Sequence, residues 1–189
     1  MTYAPEKHHR RSIRLRGYDY GQAGAYFVTI CTQNRECLFG EIANGEMRLN
    51  PSGQIVREEW FRTSVVRPDV ELDAFVIMPN HVHSIVCFVE DGRGTARRAP
   101  TVERFGHPVR GSLSTIVRAF KSAATKRINE IRRSPGAPVW QCNYYEHVIR
   151  DGDELDRVRK YIEDNPGMWE MDRENPMAQK TKDKEAWLR

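Results

Sequence analysis

The chain has 189 residues, of which 39% are hydrophobic and 10% aromatic, and it carries a formal net charge of +4. This composition is typical of one folded domain with a hydrophobic core and excludes an intrinsically disordered chain. No apolar run approaches the roughly 18–20 residues that a membrane-spanning helix needs, so we expect no membrane partner.

The cysteines and the N-terminus indicate a cytoplasmic protein. None of the four cysteines belongs to a CxxC pair; they are Cys31, Cys37, Cys87 and Cys142. We interpret them as reduced, buried or half-buried thiols rather than as a zinc cluster. The first residues are basic and contain no apolar stretch, so we do not expect a secretory signal.

The positive charge is concentrated in two segments. Residues 93–133 hold eleven Lys and Arg against two acids, and residues 7–16 hold five Lys and Arg. Such a local excess is typical of a protein that binds a polyanion such as nucleic acid. The alternative is a solvated basic face that has no partner.

Two strands and a helix are predicted in the first third of the chain. Residues 26–32 are rich in β-branched and aromatic side chains and predict a strand, and residues 45–49 predict a short hairpin return. Asn50 is a good N-cap and Pro51 suits the first helical position. We therefore expect a helix from Pro51 to about Val66.

A hairpin and a long helix follow. Residues 72–78 and 81–88 predict two strands joined by a tight turn, and residues 92–110 predict a mobile loop rich in Gly, Pro and Arg. The next helix begins at Ser112 or Ser114. Its predicted apolar stripe consists of Leu113, Ile116, Val117, Phe120, Ala124, Ile128 and Ile131.

The last elements are an aromatic strand and a third helix. Residues 134–138 contain two prolines and a glycine and break the preceding helix. Residues 139–150 predict a strand. Asp151 or Asp153 caps the helix that follows, and Pro166 ends it.

The elements follow the order β-(β)-α-β-β-α-β-α. An antiparallel sheet with helices packed on one face satisfies this order, so the expected fold class is α+β of the ferredoxin-like type. We find no internal repeat. The expected organisation is a basic arm at residues 1–17, one domain at 18–170 and a polar tail at 171–189.

His81 and His83 are the strongest candidates for a metal site. In a strand, side chains at positions i and i+2 point to the same face, so the two imidazoles are neighbours. Neutral imidazoles are good ligands for Mn²⁺, Zn²⁺ or Fe²⁺ and less natural ones for Mg²⁺. The alternative is a pair of ordinary surface or core histidines.

Tyr161 and Asn165 are separated by one helical turn and share a face of the last helix. If that face lies near the two histidines, the amide oxygen of Asn165 can be a third ligand and the Tyr161 hydroxyl lies close to the metal. The alternatives are an aromatic side chain that covers the core and an ordinary helix-terminal residue before proline.

This combination predicts a phosphodiester reaction. A metal would stabilise charge on a scissile phosphate while Tyr161 attacks and forms a 5′-phosphotyrosine. Because a free tyrosine has a pKa near 10, the phenol needs activation by the metal, by Lys121 or by another basic neighbour. There is no P-loop and no G-x-G-x-x-G, so we expect no nucleotide cofactor.

The basic residues of the loop and the long helix are the candidates for contacts with the DNA backbone. They are Arg97, Arg98, Arg110, Arg118, Lys121, Lys126 and Arg127. Trp140, Tyr144 and Tyr145 can stack on unpaired bases, but we interpret them as core residues. The alternatives for His147 are a metal ligand, a general base and a structural residue, and we interpret it as structural.

Several strings taken together resemble a known family. They are Met78-Pro79-Asn80-His81-Val82-His83, Phe120-Lys121-Ser122-Ala123, the string Trp140-Gln141-Cys142-Asn143-Tyr144-Tyr145-Glu146-His147, and Tyr161-Ile162 with Asn165-Pro166. In this order they resemble the IS200-like single-tyrosine (HUH) transposases, most closely the REP-associated tyrosine transposases. The similarity covers about residues 18–170.

The resemblance implies roles for these residues. His81 and His83 match the metal-ligand pair, Tyr161 matches the nucleophile and Asn165 matches the polar ligand. Members of this family cut single-stranded DNA near hairpin repeats with Mg²⁺ or Mn²⁺, and they act as monomers or homodimers. It implies a bacterial cytoplasmic enzyme that acts on chromosomal DNA. The segment 91–110 and the basic arm depart from the family pattern.

Two other functions remain open at this stage. One is a hairpin-DNA-binding protein without turnover, such as a repressor or nucleoid factor. The other is a metal-dependent hydrolase that activates water at His81 and His83 and forms no covalent intermediate.

Overall fold

The structure, a computed structural model, describes residues 22–89 and 111–178. The predicted basic arm, the predicted loop at 92–110 and the candidate DNA-binding residues Arg97, Arg98 and Arg110 lie outside these ranges.

A four-stranded antiparallel sheet forms the centre of the described domain. Its strands are β1 (Gly24–Cys31), β4 (Val70–Met78), β5 (His81–Phe88) and β6 (Tyr145–Ile149), in the spatial order β4-β5-β1-β6. The remaining strands, β2 (Gly40–Ala43) and β3 (Glu46–Leu49), pair with each other as a separate hairpin.

Two helices connect the strands of the sheet and a third follows them. They are α1 (Pro51–Val66), between β3 and β4, α2 (Leu113–Arg132), between β5 and β6, and α3 (Gly152–Asp164), after β6. Apart from the small hairpin and α3, this is the β-α-β-β-α-β order of the ferredoxin-like fold, with the strands in the matching spatial order. The predicted fold class is confirmed.

The predicted helix starts agree with the capping chemistry. The Asn50 side chain accepts from the main-chain N–H of Gly53 at 3.0 Å, and Pro51 is the first residue of α1. Asp151, rather than Asp153, caps α3 by accepting from the N–H of Glu154 at 2.8 Å. Ser112 precedes α2 as its N-cap residue, although its side chain makes no capping hydrogen bond.

The helices pack on both faces of the sheet, so the expectation that they cover one face was wrong. On one face, α1 and α2 bury a core that includes Trp60, Phe120 and Val28. On the opposite face, Val158 and Ile162 of α3 pack with Phe27 and Ile85. Alternation along β1 and β5 separates the two cores, since neighbouring residues of a strand point to opposite faces.

Three smaller expectations also differ from the structure. Ile131, at the end of the predicted apolar stripe, is 51% exposed. The last strand is shorter than predicted: Trp140 forms only an isolated bridge with Thr32, and β6 begins at Tyr145. All four cysteines are free thiols, but Cys37 and Cys142 are exposed rather than buried.

In the parts of the chain that the structure describes, no helix is both long and apolar enough to cross a membrane.

Candidate active site

His81 and His83 lie on β5 and face the same side of the sheet as α3. Their side chains are almost fully buried, with 0% and 3% of each residue exposed. The two Nε2 atoms are 3.0 Å apart. The spacing of one residue in a strand therefore brings both imidazoles to one point, as the sequence predicts.

Each imidazole is held at its other nitrogen. Nδ1 of His81 is 2.9 Å from Oδ1 of Asn80, and Nδ1 of His83 is 2.9 Å from the hydroxyl of Thr29 on β1. Phe27 stacks against the ring of His83, with 5.3 Å between the centroids. These contacts fix both rings so that their Nε2 atoms point toward a common centre.

Burial keeps both imidazoles neutral. Removal from water lowers the pKa of His81 to about 3, and the positive charge of Arg35 contributes further. Burial also lowers the pKa of His83 well below its ordinary value, with smaller contributions from His81 and Arg173. Because only a neutral imidazole has a lone pair to donate, both rings can bind a metal ion at neutral pH.

Tyr161 on α3 reaches the same centre. Its hydroxyl oxygen is 3.3 Å from Nε2 of His83, and its ring packs edge-on against Phe27. The sheet supplies the imidazoles and the helix supplies the phenol. Two residues far apart in the sequence are therefore brought together on one face of the sheet.

Two polar contacts fix the position of α3. Arg159 forms a paired interaction with both carboxylate oxygens of Asp73 on β4, at 3.0 and 2.6 Å. At the N-terminal end of the helix, Nε2 of His147 lies 2.8 Å from Oε1 of Glu154. His147 thus links β6 to α3, which agrees with a structural role.

Asn165 follows α3 directly and is 4% exposed. Its side-chain oxygen is buried and has no hydrogen-bond partner among the described residues. Such an oxygen normally has a partner, because an unsatisfied buried polar group is costly. A metal ligand has this property, but the role of Asn165 remains a prediction.

Asp172 is a candidate that the sequence interpretation missed. Its Oδ2 is 3.6 Å from Nε2 of His81, and one atom from each of His81, His83 and Asp172 lies within 4.8 Å of the others. Within the described residues this oxygen has no hydrogen-bond partner. Burial raises the pKa of Asp172 to about 6, although the main-chain N–H of Glu174 opposes the rise.

The segment that carries Asp172 is held by the side chains of Asn80, in the turn between β4 and β5, and of Arg35. The amide nitrogen of Asn80 donates to the carbonyl of Glu174 at 2.6 Å, and the Glu174 carboxylate pairs with Arg35 at 3.0 Å. Trp169 also lies beside His81, with 6.2 Å between the ring centroids. The packing of this segment beside His81 could not be predicted from a periodic sequence pattern, because it depends on single polar contacts.

These side chains fit a divalent cation. The two imidazole Nε2 atoms lie 3.0 Å apart, and the buried Oδ2 of Asp172, 3.6 Å from one of them, has no hydrogen-bond partner among the described residues. A mixed nitrogen and oxygen set of this kind suits Mn²⁺, Fe²⁺ or Zn²⁺, and its oxygen ligands also suit Mg²⁺.

Comparison with known sequences identifies one relative of this chain. No family model matches the chain. An uncharacterized protein of Haemophilus influenzae is 43% identical over 168 residues, a region that covers 87% of this chain and 92% of that protein. The two belong to one family. No function is assigned to the relative, so membership of this family does not by itself indicate a function for this chain.

A solved structure gives the fold an independent match. A REP-associated tyrosine transposase bound to a REP hairpin superimposes with a TM-score of 0.53, at 22% identity, over 83% of this chain and 71% of that chain. The described domain therefore has the fold of that transposase. This agrees with the family that the sequence strings resemble.

The basic residues of α2 lie across the sheet from the two imidazoles. Because α2 packs on the face opposite α3, Arg118 and Lys126 are exposed in the layer away from Tyr161. Arg127 pairs with Glu58 and Glu59 of α1. Of the candidate DNA-binding residues on α2, Arg118 and Lys126 are therefore the exposed ones, while the DNA-binding role of all four stays a prediction.

Lys121 has a structural position. Its ammonium donates to the carbonyls of Gln141 at 2.9 Å and Asn143 at 3.0 Å, and burial lowers its pKa to about 8. α2 and α3 pack on opposite faces of the sheet, and activation of the phenol by Lys121 stays a prediction. Trp140 is buried in the core beside Phe120, as expected.

Proposed function

We propose that this protein is a metal-dependent single-strand DNA endonuclease and transposase that acts through Tyr161. The observation that carries the proposal is the convergence of three groups: the Tyr161 hydroxyl lies 3.3 Å from Nε2 of His83, which lies 3.0 Å from Nε2 of His81. A nucleophile beside a pair of neutral imidazoles is the arrangement that phosphodiester cleavage by tyrosine needs.

Tyr161 would make the new bond. Its phenol loses a proton, its oxygen attacks the phosphorus in line, and the bond from phosphorus to the 3′ oxygen breaks. The 3′ oxygen leaves and takes up a proton, which gives a 5′-phosphotyrosine and a free 3′ hydroxyl. The contact of Phe27 with the Tyr161 ring and the pairing of Arg159 with Asp73 would hold the phenol in place for this attack.

His81, His83, Asn165 and Asp172 would hold the metal ion, for which Mg²⁺ and Mn²⁺ are the candidates. When bound, the ion supplies positive charge that stabilises the developing negative charge on the phosphate and favours loss of the phenol proton. The protein contributes two fixed neutral imidazoles, so neither has to lose a proton to bind the ion at neutral pH. Each ring needs only to carry its one hydrogen on Nδ1, which leaves Nε2 free for the ion.

The covalent link preserves the energy of the phosphodiester bond. A 3′ hydroxyl of a second strand can attack the phosphotyrosine, which releases Tyr161 and rejoins the DNA. The proposed reaction therefore needs no nucleotide cofactor.

The proposed substrate is single-stranded DNA beside a hairpin. The transposase that shares this fold binds a REP hairpin, and the sequence strings point to the same class of substrate. Exposed Arg118 and Lys126 would contact backbone phosphates. The protein would act in the bacterial cytoplasm on chromosomal repeats, as a monomer or a homodimer.

Covalent trapping tests the proposal. The full-length protein is mixed with labelled single-stranded hairpin DNA from repeats that flank its own gene, with Mn²⁺ or Mg²⁺, and resolved on a denaturing gel. We expect a metal-dependent adduct that Tyr161→Phe abolishes. Tyr144→Phe is the matched control, because Tyr144 packs against the core on the opposite face of the sheet. An adduct that persists in Tyr161→Phe would refute the assignment of the nucleophile.

The burial of His81 and His83 favours one second candidate, a hairpin-binding protein without turnover. Side chains that are 0% and 3% exposed offer little access to a phosphate. Tight hairpin binding without adduct or cleaved strand, at a substrate cut by a related enzyme, would support this alternative. Cleavage without any adduct would instead indicate water as the nucleophile.

A further inference from the structure

The hydrogen on His81 is fixed by its neighbour Asn80. The amide nitrogen of Asn80 donates to the carbonyls of Arg35 and Glu174, so its oxygen faces His81. An amide oxygen only accepts, and therefore Nδ1 of His81 must be the donor. Because a neutral imidazole carries one hydrogen, Nε2 of His81 is a bare acceptor.

In the metal-free protein, the bare Nε2 of His81 favours one of the two neutral tautomers of His83. Its Nε2 lies 3.0 Å from the bare Nε2 of His81, and two bare nitrogens at that distance would repel each other. His83 must therefore carry its hydrogen on Nε2 and donate it to His81. Its Nδ1 is left as an acceptor, and the Thr29 hydroxyl at 2.9 Å is the donor.

A metal ion held by both Nε2 atoms requires the other form of His83. The hydrogen must leave Nε2 and return at Nδ1, through water, so that one N–H bond breaks and one forms with no net gain or loss of a proton. The Thr29 oxygen must then accept from Nδ1. A hydroxyl can serve in both states because it rotates and both donates and accepts.

We propose that Thr29 is a positioning residue that holds His83 in either of its two neutral forms, donating to Nδ1 of His83 without metal and accepting from Nδ1 with metal bound. This inference rests on the metal site of the proposed function. Thr29 lies directly opposite His83 in the pairing of β1 with β5 and is 8% exposed, so water does not readily replace it. The residue touches neither DNA nor metal in this role.

The first test compares Zn²⁺ binding by the full-length protein with that of Thr29→Val and Thr29→Ser, measured by calorimetry without DNA. Valine has nearly the same shape but can neither donate nor accept, so we expect affinity to fall about 10–100-fold. Serine keeps the hydroxyl and should bind nearly as tightly as threonine. Unchanged affinity in Thr29→Val would overturn the proposal.

The second test uses the wild-type protein and does not depend on the folding of a variant. Nitrogen-15 NMR of labelled histidines reports which ring nitrogen carries hydrogen, and Zn²⁺ is a diamagnetic probe. We expect the hydrogen of His83 on Nε2 in the metal-free protein and on Nδ1 after Zn²⁺ is added. A hydrogen on Nδ1 in both states would overturn the role of Thr29.

The outcomes separate this inference from the proposed function. If wild-type protein does not bind Zn²⁺ at His81 and His83, both the metal site and the role of Thr29 fail. If Zn²⁺ binds and moves the hydrogen of His83, the role of Thr29 is supported even when no covalent DNA adduct forms. In that case only the assignment of Tyr161 fails.

Discussion

Asp172 and His81 are far apart in the sequence, yet Oδ2 of Asp172 lies 3.6 Å from Nε2 of His81. The side-chain oxygen of Asn80 accepts a hydrogen bond from Nδ1 of His81, so the single hydrogen of this neutral ring is on Nδ1. The Nε2 that faces Asp172 therefore carries a lone pair. A carboxylate oxygen and a bare nitrogen in a buried site repel one another. The pair is therefore unfavourable without a cation and favourable with one.

This relationship predicts that Asp172→Asn stabilises the metal-free protein at neutral pH. The pKa of Asp172 is raised to about 6, so the protonated carboxyl stabilises the fold below its unfolded pKa near 4. That stabilisation is lost as pH rises through 6. In EDTA at pH 7.5, urea denaturation should show the variant more stable by up to about 3 kcal/mol, and the difference should vanish near pH 4.

Added metal should make the wild type more stable than Asp172→Asn. With Mn²⁺ present, the wild type gains more stability than Asp172→Asn because it offers an additional charged ligand. Asp164→Asn is the control, since Asp164 is exposed and its carboxylate pairs with Lys160, and it should change little in either buffer. Equal stability of wild type and Asp172→Asn in EDTA would mean that the Asp172 carboxylate is solvated.

The sequence predicts the parts of the site that depend on periodicity. His81 and His83 face one another because strand residues two apart share a face, and Tyr161 and Asn165 lie one helical turn apart. These are local rules, and they hold wherever the strand and the helix form. The meeting of Tyr161 with His83 followed from family resemblance and not from spacing.

Asp172 and the face of α3 could not be predicted in this way. An apolar stripe such as Val158 and Ile162 shows that a helix is buried, but it does not say against which face of a sheet. Asp172 reaches the site because the carbonyl of Glu174 accepts from Asn80. One tertiary hydrogen bond leaves no repeating pattern in a sequence.

A second prediction concerns the positioning of Tyr161 by Arg159. Arg159 pairs with both oxygens of Asp73, and its guanidinium lowers the pKa of that carboxyl. Arg159→Ala should leave helix content and hairpin affinity unchanged but slow adduct formation by about 10–100-fold, since small displacements of a reacting group are costly. Single-turnover kinetics on denaturing gels measure this rate.

Asp73 provides the internal check on that prediction. Asp73→Ala should slow the reaction to a similar extent, and the double variant should be no slower than either single one, because both remove the same contact. Lys160→Ala is the matched control on the adjacent, exposed position. Additive effects of the two substitutions would show that Arg159 and Asp73 act separately.

A third prediction concerns the core on the face opposite the site. Trp60 is 0% exposed, donates from Nε1 to the Ser84 hydroxyl at 3.1 Å and packs against Phe75 and Phe120. Trp60→Ala should lower the free energy of unfolding by about 3–5 kcal/mol, as large truncations in a packed core do. Phe61→Ala, at a residue that is 51% exposed, should cost much less in the same denaturation experiment.

The last prediction locates the DNA backbone by salt dependence. Arg118 and Lys126 are exposed on α2, whereas Arg127 on the same helix already pairs with Glu58 and Glu59. Each phosphate contact contributes about 0.7–0.9 to the slope of log affinity against log salt. Removing both exposed charges in Arg118→Ala with Lys126→Ala should therefore flatten the slope for hairpin binding by about 1.4–1.8. Arg127→Ala should leave it nearly unchanged, because two carboxylates already offset that charge. If the slope of the double variant equals that of wild type, the DNA does not follow α2, and its phosphates contact other parts of the protein.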